Sequence, residues 1–187
     1  MQTILVLGAG MSSTSLIKYL LSNSETYNWK VVVGDKSKEL AAKKCNGHPN
    51  AEAIFFDVYD SAQRQKAISE ANVVVSMLPA RMHYLVAVDC VEQGISMITA
   101  SYVSDEIRAL HERAKANDVL LLNEMGVDPG IDHMSAMEVI DKVREKGAQL
   151  TAFESATGGL VAPEHDNNPW NYKFTWNPRN VVVAGQG

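Results

Sequence analysis

Apolar residues gather in short runs over the first two-thirds of the chain, at 4–7, 31–33, 53–58, 73–78, 97–99 and 119–122. Runs rich in Val, Ile and Leu, without polar alternation, suit strands covered on both faces. Between them lie 13–21, 38–44, 62–71, 81–93 and 105–117, where apolar positions recur at helical spacing. Tyr84, Val88 and Val91 form one such stripe, and Ile107, Leu110 and Ala114 another. Ser37 and Ser104 stand where N-caps belong, and Gly94 where a helix should stop. The alternation predicts an α/β fold, a Rossmann-type doubly wound parallel sheet.

The pattern changes at Gly126-Val127-Asp128-Pro129-Gly130. A helix is expected over 133–146, a strand over 150–154, and then a polar, turn-rich segment over 158–169. Trp170, Tyr172, Phe174 and Trp176 alternate at period two, as in a strand that packs into a core or, in a second reading, lines a substrate. A strand-like run at 181–183 has no successor. The expected division is a dinucleotide-binding domain over 1–125 and the start of an α/β substrate or dimerisation domain over 126–187, cut short.

The chain has 187 residues, 46% hydrophobic and 21% charged, with a net charge of −5. That balance argues against nucleic acid as a partner, because phosphate binding needs a basic surface. Cys45 and Cys90 are far apart, with neither a disulfide framework nor metal-ligand spacing, so a reducing cytoplasm is the expected compartment and no metal site is expected. No apolar stretch approaches the roughly 18 residues that a membrane span needs, and no signal peptide is visible.

The first run leads into Gly8-Ala9-Gly10-Met11-Ser12-Ser13, and the second ends at Asp35. Strand, glycine turn, helix start and a carboxylate after the next strand together make a dinucleotide fingerprint. Gly8 and Gly10 let backbone N–H groups approach a pyrophosphate, with Met11 beside them, and the hydroxyls of Ser12 and Ser13 can cap the helix or bond a phosphate. Ser13 replaces the usual third glycine. Asp35 is placed for the adenosine ribose, where its charge repels a 2′-phosphate and favours NAD over NADP. Lys36, Ser37 and Lys38 can cradle that phosphate if Asp35 turns away, so NADP stays open. Asp57 can accept from the adenine amine or cap the next helix. Ser76, Leu78 and Pro79 close the fourth run beside the nicotinamide position, while Ser101-Tyr102 and Asp128 follow the fifth and sixth, so these ends converge on one crevice.

His48, His83, His111, His133 and His165 are scattered. His111 is expected in solvent. His133 beside Asp132 is read first as a helix N-terminal pair and second as a metal or acid–base pair. Lys173 and Arg179 can grip a substrate carboxylate, Arg179 in bidentate fashion.

Asn123-Glu124-Met125-Gly126-Val127-Asp128-Pro129-Gly130-Ile131-Asp132-His133-Met134, with Ala100-Ser101-Tyr102-Val103 upstream, is similar to the glutamate-forming branch of the saccharopine dehydrogenase (reductase) family. Gly158-Gly159-Leu160-Val161-Ala162-Pro163-Glu164 and Asn168-Pro169-Trp170-Asn171-Tyr172-Lys173-Phe174-Thr175-Trp176-Asn177-Pro178-Arg179 resemble it too. The resemblance covers essentially the whole chain. It implies hydride transfer between a nicotinamide cofactor and the carbon–nitrogen bond of saccharopine, interconverting it with glutamate and 2-aminoadipate 6-semialdehyde in lysine metabolism. It also implies a longer two-domain enzyme, homodimeric at full length, of which these residues alone would be inactive. Ser101, Tyr102, Asp128, Arg179 and Lys173 would face substrate. Asp128 is the carboxylate placed for a general base, although ordering the substrate amine fits it equally. The alternatives are a carboxynorspermidine dehydrogenase-like enzyme and a non-catalytic NAD(P)-binding module.

Overall fold

The computed structural model describes residues 1–156 and 158–173; Phe174, Trp176, Arg179 and the run at 181–183 lie outside the described residues. Each apolar run of the first two-thirds overlaps a strand: β1 Gln2–Leu7, β2 Trp29–Asp35, β3 Ala51–Phe55, β4 Val73–Ser76, β5 Ser96–Thr99 and β6 Leu121–Leu122. They pair in parallel in the order β3-β2-β1-β4-β5-β6, a doubly wound Rossmann-type sheet.

The helices are α1 Thr14–Ser22, α2 Ser24–Tyr27, α3 Lys38–Cys45, α4 Ser61–Ser69, α5 His83–Gln93, α6 Asp105–Arg108, α7 His111–Ala116 and α8 Ile131–Glu145. Side chains alternate across β1. Ile4 and Val6 join Ile17, Leu20 and Leu21 of α1 and Ala41 and Cys45 of α3. Leu5 and Leu7 join Ile68 of α4, Val86, Ala87 and Cys90 of α5, and Met97 of β5. Both faces of β1 are therefore dry, which is why its sequence carries no polar alternation. Each buried aliphatic side chain contributes about 1.5–3 kcal/mol.

Ser37 accepts from Leu40 N–H and Ser104 from Ile107 N–H, while Gly94 ends α5 at φ 70°. Three expectations need correction. The helix expected over 105–117 is two, α6 and α7, with Ala109 and Leu110 between them. Residues 150–154 form no strand: Leu150 and Phe153 are exposed and nothing pairs with that backbone among the described residues. The described part of the aromatic run is not a strand either; Trp170 is 84% exposed in a turn closed by Asn171 N–H on the Asn168 carbonyl. Alternation of polarity signals a strand only where a partner supplies the ladder.

The chain divides into two compact units, Met1–Val139 and Ile140–Gly187. The sheet and its core belong to the first. The described residues of the second include the end of α8 and a 3₁₀ turn at Pro163–His165. Among the described residues no helix is long and apolar enough to cross a membrane.

Candidate functional site

Strand order reverses between β1 and β4, and this is where a doubly wound sheet opens a crevice at its carboxyl edge. Met77 N–H donates to the Leu7 carbonyl (2.8 Å), carrying the β1–β4 pairing one step beyond β4. Gly8 follows β1 at φ 102°, and a Cβ there would stand 2.8 Å from the Met77 carbonyl oxygen. Glycine is required at that position by both conformation and space. Gly10 differs: a Cβ would meet nothing within 4 Å. The space over Gly10 is open.

Asp35 ends β2, and its carboxylate is tied to this turn. Oδ2 accepts from Ala9 N–H (2.7 Å) and Oδ1 from Ser37 N–H (2.8 Å). Two of roughly four lone-pair sites on the carboxylate are taken by these bonds. Ser37 both braces Asp35 and caps α3, while Lys36 and Lys38 are exposed. Lys36 Nζ lies 3.1 Å from Asp57 Oδ2. A bond from Tyr59 N–H, then Lys36, holds the Asp57 carboxyl below its ordinary range. Asp57 does not cap α4; Asp60 does, accepting from Gln63 N–H.

Met11 and Ser12 are exposed on the 3₁₀ turn before α1, whereas Ser13 is buried and its hydroxyl donates to the Gly10 carbonyl (2.9 Å). Ser13 thus closes the glycine turn internally and caps no helix N–H. Leu78 and Pro79 follow β4, the first partly buried and the second exposed.

Ser76 is fully buried, and its hydroxyl meets His83 Nδ1 at 2.8 Å. The other ring nitrogen meets Ser101 Oγ at 2.8 Å and Thr99 Oγ1 at 3.3 Å. Burial pushes the His83 pKa down to about 4, so the ring is neutral. In the sequence His83 is one of five scattered histidines. Its one local signal is its place at the start of the helix after β4, facing a serine that ends that strand.

Tyr102 Oη donates to Asp128 Oδ1 (3.1 Å), joining two residues expected to face substrate. That bond, then desolvation and the surrounding negative charge, raises the Tyr102 pKa. Asp128 stands in a tight loop in which Gly126 N–H donates to the Pro129 carbonyl. A Cβ on Gly130, at φ 149°, would lie 2.2 Å from the Gly126 carbonyl oxygen. Asp132 Oδ1 accepts from Gly130 N–H (2.9 Å) and lies 2.8 Å from His133 Nδ1. Each of that pair favours the charged form of the other, lowering Asp132 and raising His133. The pair closes the loop at the start of α8, and no group of three His, Cys, Asp or Glu gathers for a metal among the described residues. Asn123, buried just after β6, has neither amide atom hydrogen-bonded and was not singled out from sequence.

In the second unit Lys173 lines a cavity of about 340 Å³ with Leu160, Ala162, His165 and Tyr172. Arg179 lies outside the described residues.

Residues 4–122 match the family model described as the saccharopine dehydrogenase NADP binding domain, and 126–187 the saccharopine dehydrogenase C-terminal domain. Saccharopine dehydrogenase [NADP(+), L-glutamate-forming] of Schizosaccharomyces pombe is 38% identical over 98% of this chain and 40% of its own length. Alpha-aminoadipic semialdehyde synthase of Arabidopsis thaliana is 38% identical over 98% of this chain and 19% of its own. The apo structure of saccharopine dehydrogenase (L-Glu forming) from Saccharomyces cerevisiae superposes with a TM-score of 0.87 at 33% identity, covering 98% of this chain and 40% of that one. The chain thus spans well under half the length of these relatives.

Proposed function

The chain belongs to the saccharopine dehydrogenase family, and from that premise we propose that it serves hydride transfer at the carbon–nitrogen bond of saccharopine. The observation that carries the reading is the carboxyl edge of one parallel sheet. There the glycine turn with its Asp35 brace and the Ser101, Tyr102 and Asp128 group follow strands of the same unit. A nicotinamide dinucleotide held by the Gly8–Gly10 turn and Asp35 would supply the hydride acceptor. Glutamate keeps the nitrogen in this reaction, so the carbon oxidised is the one that becomes the semialdehyde. Its oxidation leaves an imine, to which water adds before the carbon–nitrogen bond breaks. Asp128 spends one oxygen on Tyr102, leaving the other for the substrate nitrogen, and Ser101 offers a hydroxyl to a carboxylate.

Between the two cofactors, the NADP in the names of the family domain and of the fungal relative supports NADP. A second reading, NAD, is favoured by the Asp35 carboxylate, which stands where a 2′-phosphate would bring like charge. Titrating the protein with each cofactor separates them. Under the first reading NADP binds more tightly, and Asp35→Ala tightens it further. Under the second NAD binds more tightly, and the same change weakens it about tenfold or more.

The activity test is saccharopine-dependent reduction of the nicotinamide by the whole protein. Dinucleotide binding without turnover would sink the dehydrogenase reading in favour of a nucleotide-binding module. The 187 residues alone are expected to bind dinucleotide and to turn saccharopine over slowly or not at all; full-rate oxidation by them would refute that part.

A further inference from the structure

A buried hydrogen-bond chain runs beneath the crevice and is used neither by the glycine turn nor by the hydride chemistry. Ser76 closes β4, opposite Thr99 at the end of β5, and His83 opens α5 above them. The imidazole, 2% exposed, joins Ser76 Oγ on one side to Ser101 Oγ on the other, each at 2.8 Å. Ser76 has no exposed surface and cannot touch a ligand. Ser101 is half-buried, directly before Tyr102.

A neutral imidazole offers one donor and one acceptor. The hydroxyls of Ser76 and Ser101 therefore take opposite roles towards it: where one donates, the other accepts. Burial keeps the ring uncharged. The direction of the Ser101 hydroxyl is thereby tied to a serine deep in the sheet.

We infer that His83 is a positioning residue: it accepts from Ser76 at Nδ1 and donates from Nε2 to Ser101 Oγ, which leaves the Ser101 proton free for a substrate carboxylate oxygen, and it touches no substrate itself. The inference rests on the reading of Ser101 as a substrate contact. A chain that merely satisfies buried polar groups would stabilise the fold and leave Ser101 kinetically independent of Ser76 and His83.

The test is steady-state kinetics of the whole protein with saccharopine, with dinucleotide Kd and Tm measured beside it. Ser101→Ala should raise KM about tenfold, with kcat within about twofold of the parent and cofactor Kd unchanged. His83→Leu should raise KM similarly, and His83→Gln, whose amide supplies both a donor and an acceptor, should recover most of the loss. Ser76→Ala, a small change that folds even if His83→Leu does not, should raise KM about threefold. Neither change should add to the effect of Ser101→Ala when combined with it. A lowered Tm with unmoved KM in Ser76→Ala, or KM factors that multiply in the double variants, would overturn the inference and leave the function standing. A Ser101→Ala protein with the parent KM, or with an altered cofactor Kd instead, would overturn the substrate-contact reading and the inference together.

Discussion

Gly8 and Gly10 look equivalent in a motif, yet they do different work. Gly8 is held by the fold: positive φ and the Met77 carbonyl both exclude a side chain. Gly8→Ala should cost about 1–3 kcal/mol of stability, read from thermal or urea unfolding, whether or not cofactor is present. Gly10 is under no such constraint. Gly10→Ala should leave unfolding unchanged and weaken dinucleotide binding about tenfold or more, because the added methyl enters the space left for the pyrophosphate. Equal affinity in Gly10→Ala would put the phosphates elsewhere. Ser13 shows why the missing third glycine does no harm. Its hydroxyl closes onto the Gly10 carbonyl and completes the turn from inside.

At the scale of elements, the strands were legible because burial on both faces leaves continuous apolar runs, and Ser37, Ser104 and Gly94 mark helix ends by local chemistry. Strand ends were less legible. Phe56 and Val58 are buried yet lie beyond β3, since hydrophobicity records burial and not ladder pairing. Polar groups buried by tertiary contact left no pattern at all, and His83 is one case. Arg64 and Asp89 are another, a pair 25 positions apart that no sequence pattern links. In the fold Arg64 Nε meets Asp89 Oδ2 at 2.5 Å, and Nη1 donates to the Val58 carbonyl, tying α4 to α5. Both side chains are buried. Asp89→Ala strands a buried guanidinium and should cost about 3–5 kcal/mol in urea unfolding. Replacing the pair together, Arg64→Met with Asp89→Leu, should recover most of that. A loss from Asp89→Ala below about 1 kcal/mol would mean that water reaches the guanidinium in solution.

At the scale of the whole molecule, the sheet, its core and the dinucleotide crevice belong to one compact unit, whereas Lys173 and its cavity belong to the other. A ligand that binds only the folded first unit should therefore stabilise that unit by mass action, independently of catalysis. At a hundredfold excess over Kd the gain is about 2.7 kcal/mol, and for a unit of this size the unfolding midpoint should rise on the order of 10 °C. The shift should saturate with the same Kd that direct titration gives. In Gly10→Ala the midpoint without ligand should match the parent while the shift collapses at the same cofactor concentration. In Gly8→Ala the midpoint should start lower. Those two signatures separate the residue that builds the turn from the residue that leaves it open. A cofactor that binds the parent tightly but moves its midpoint by less than a degree or two would mean that its site is not confined to the folded sheet unit.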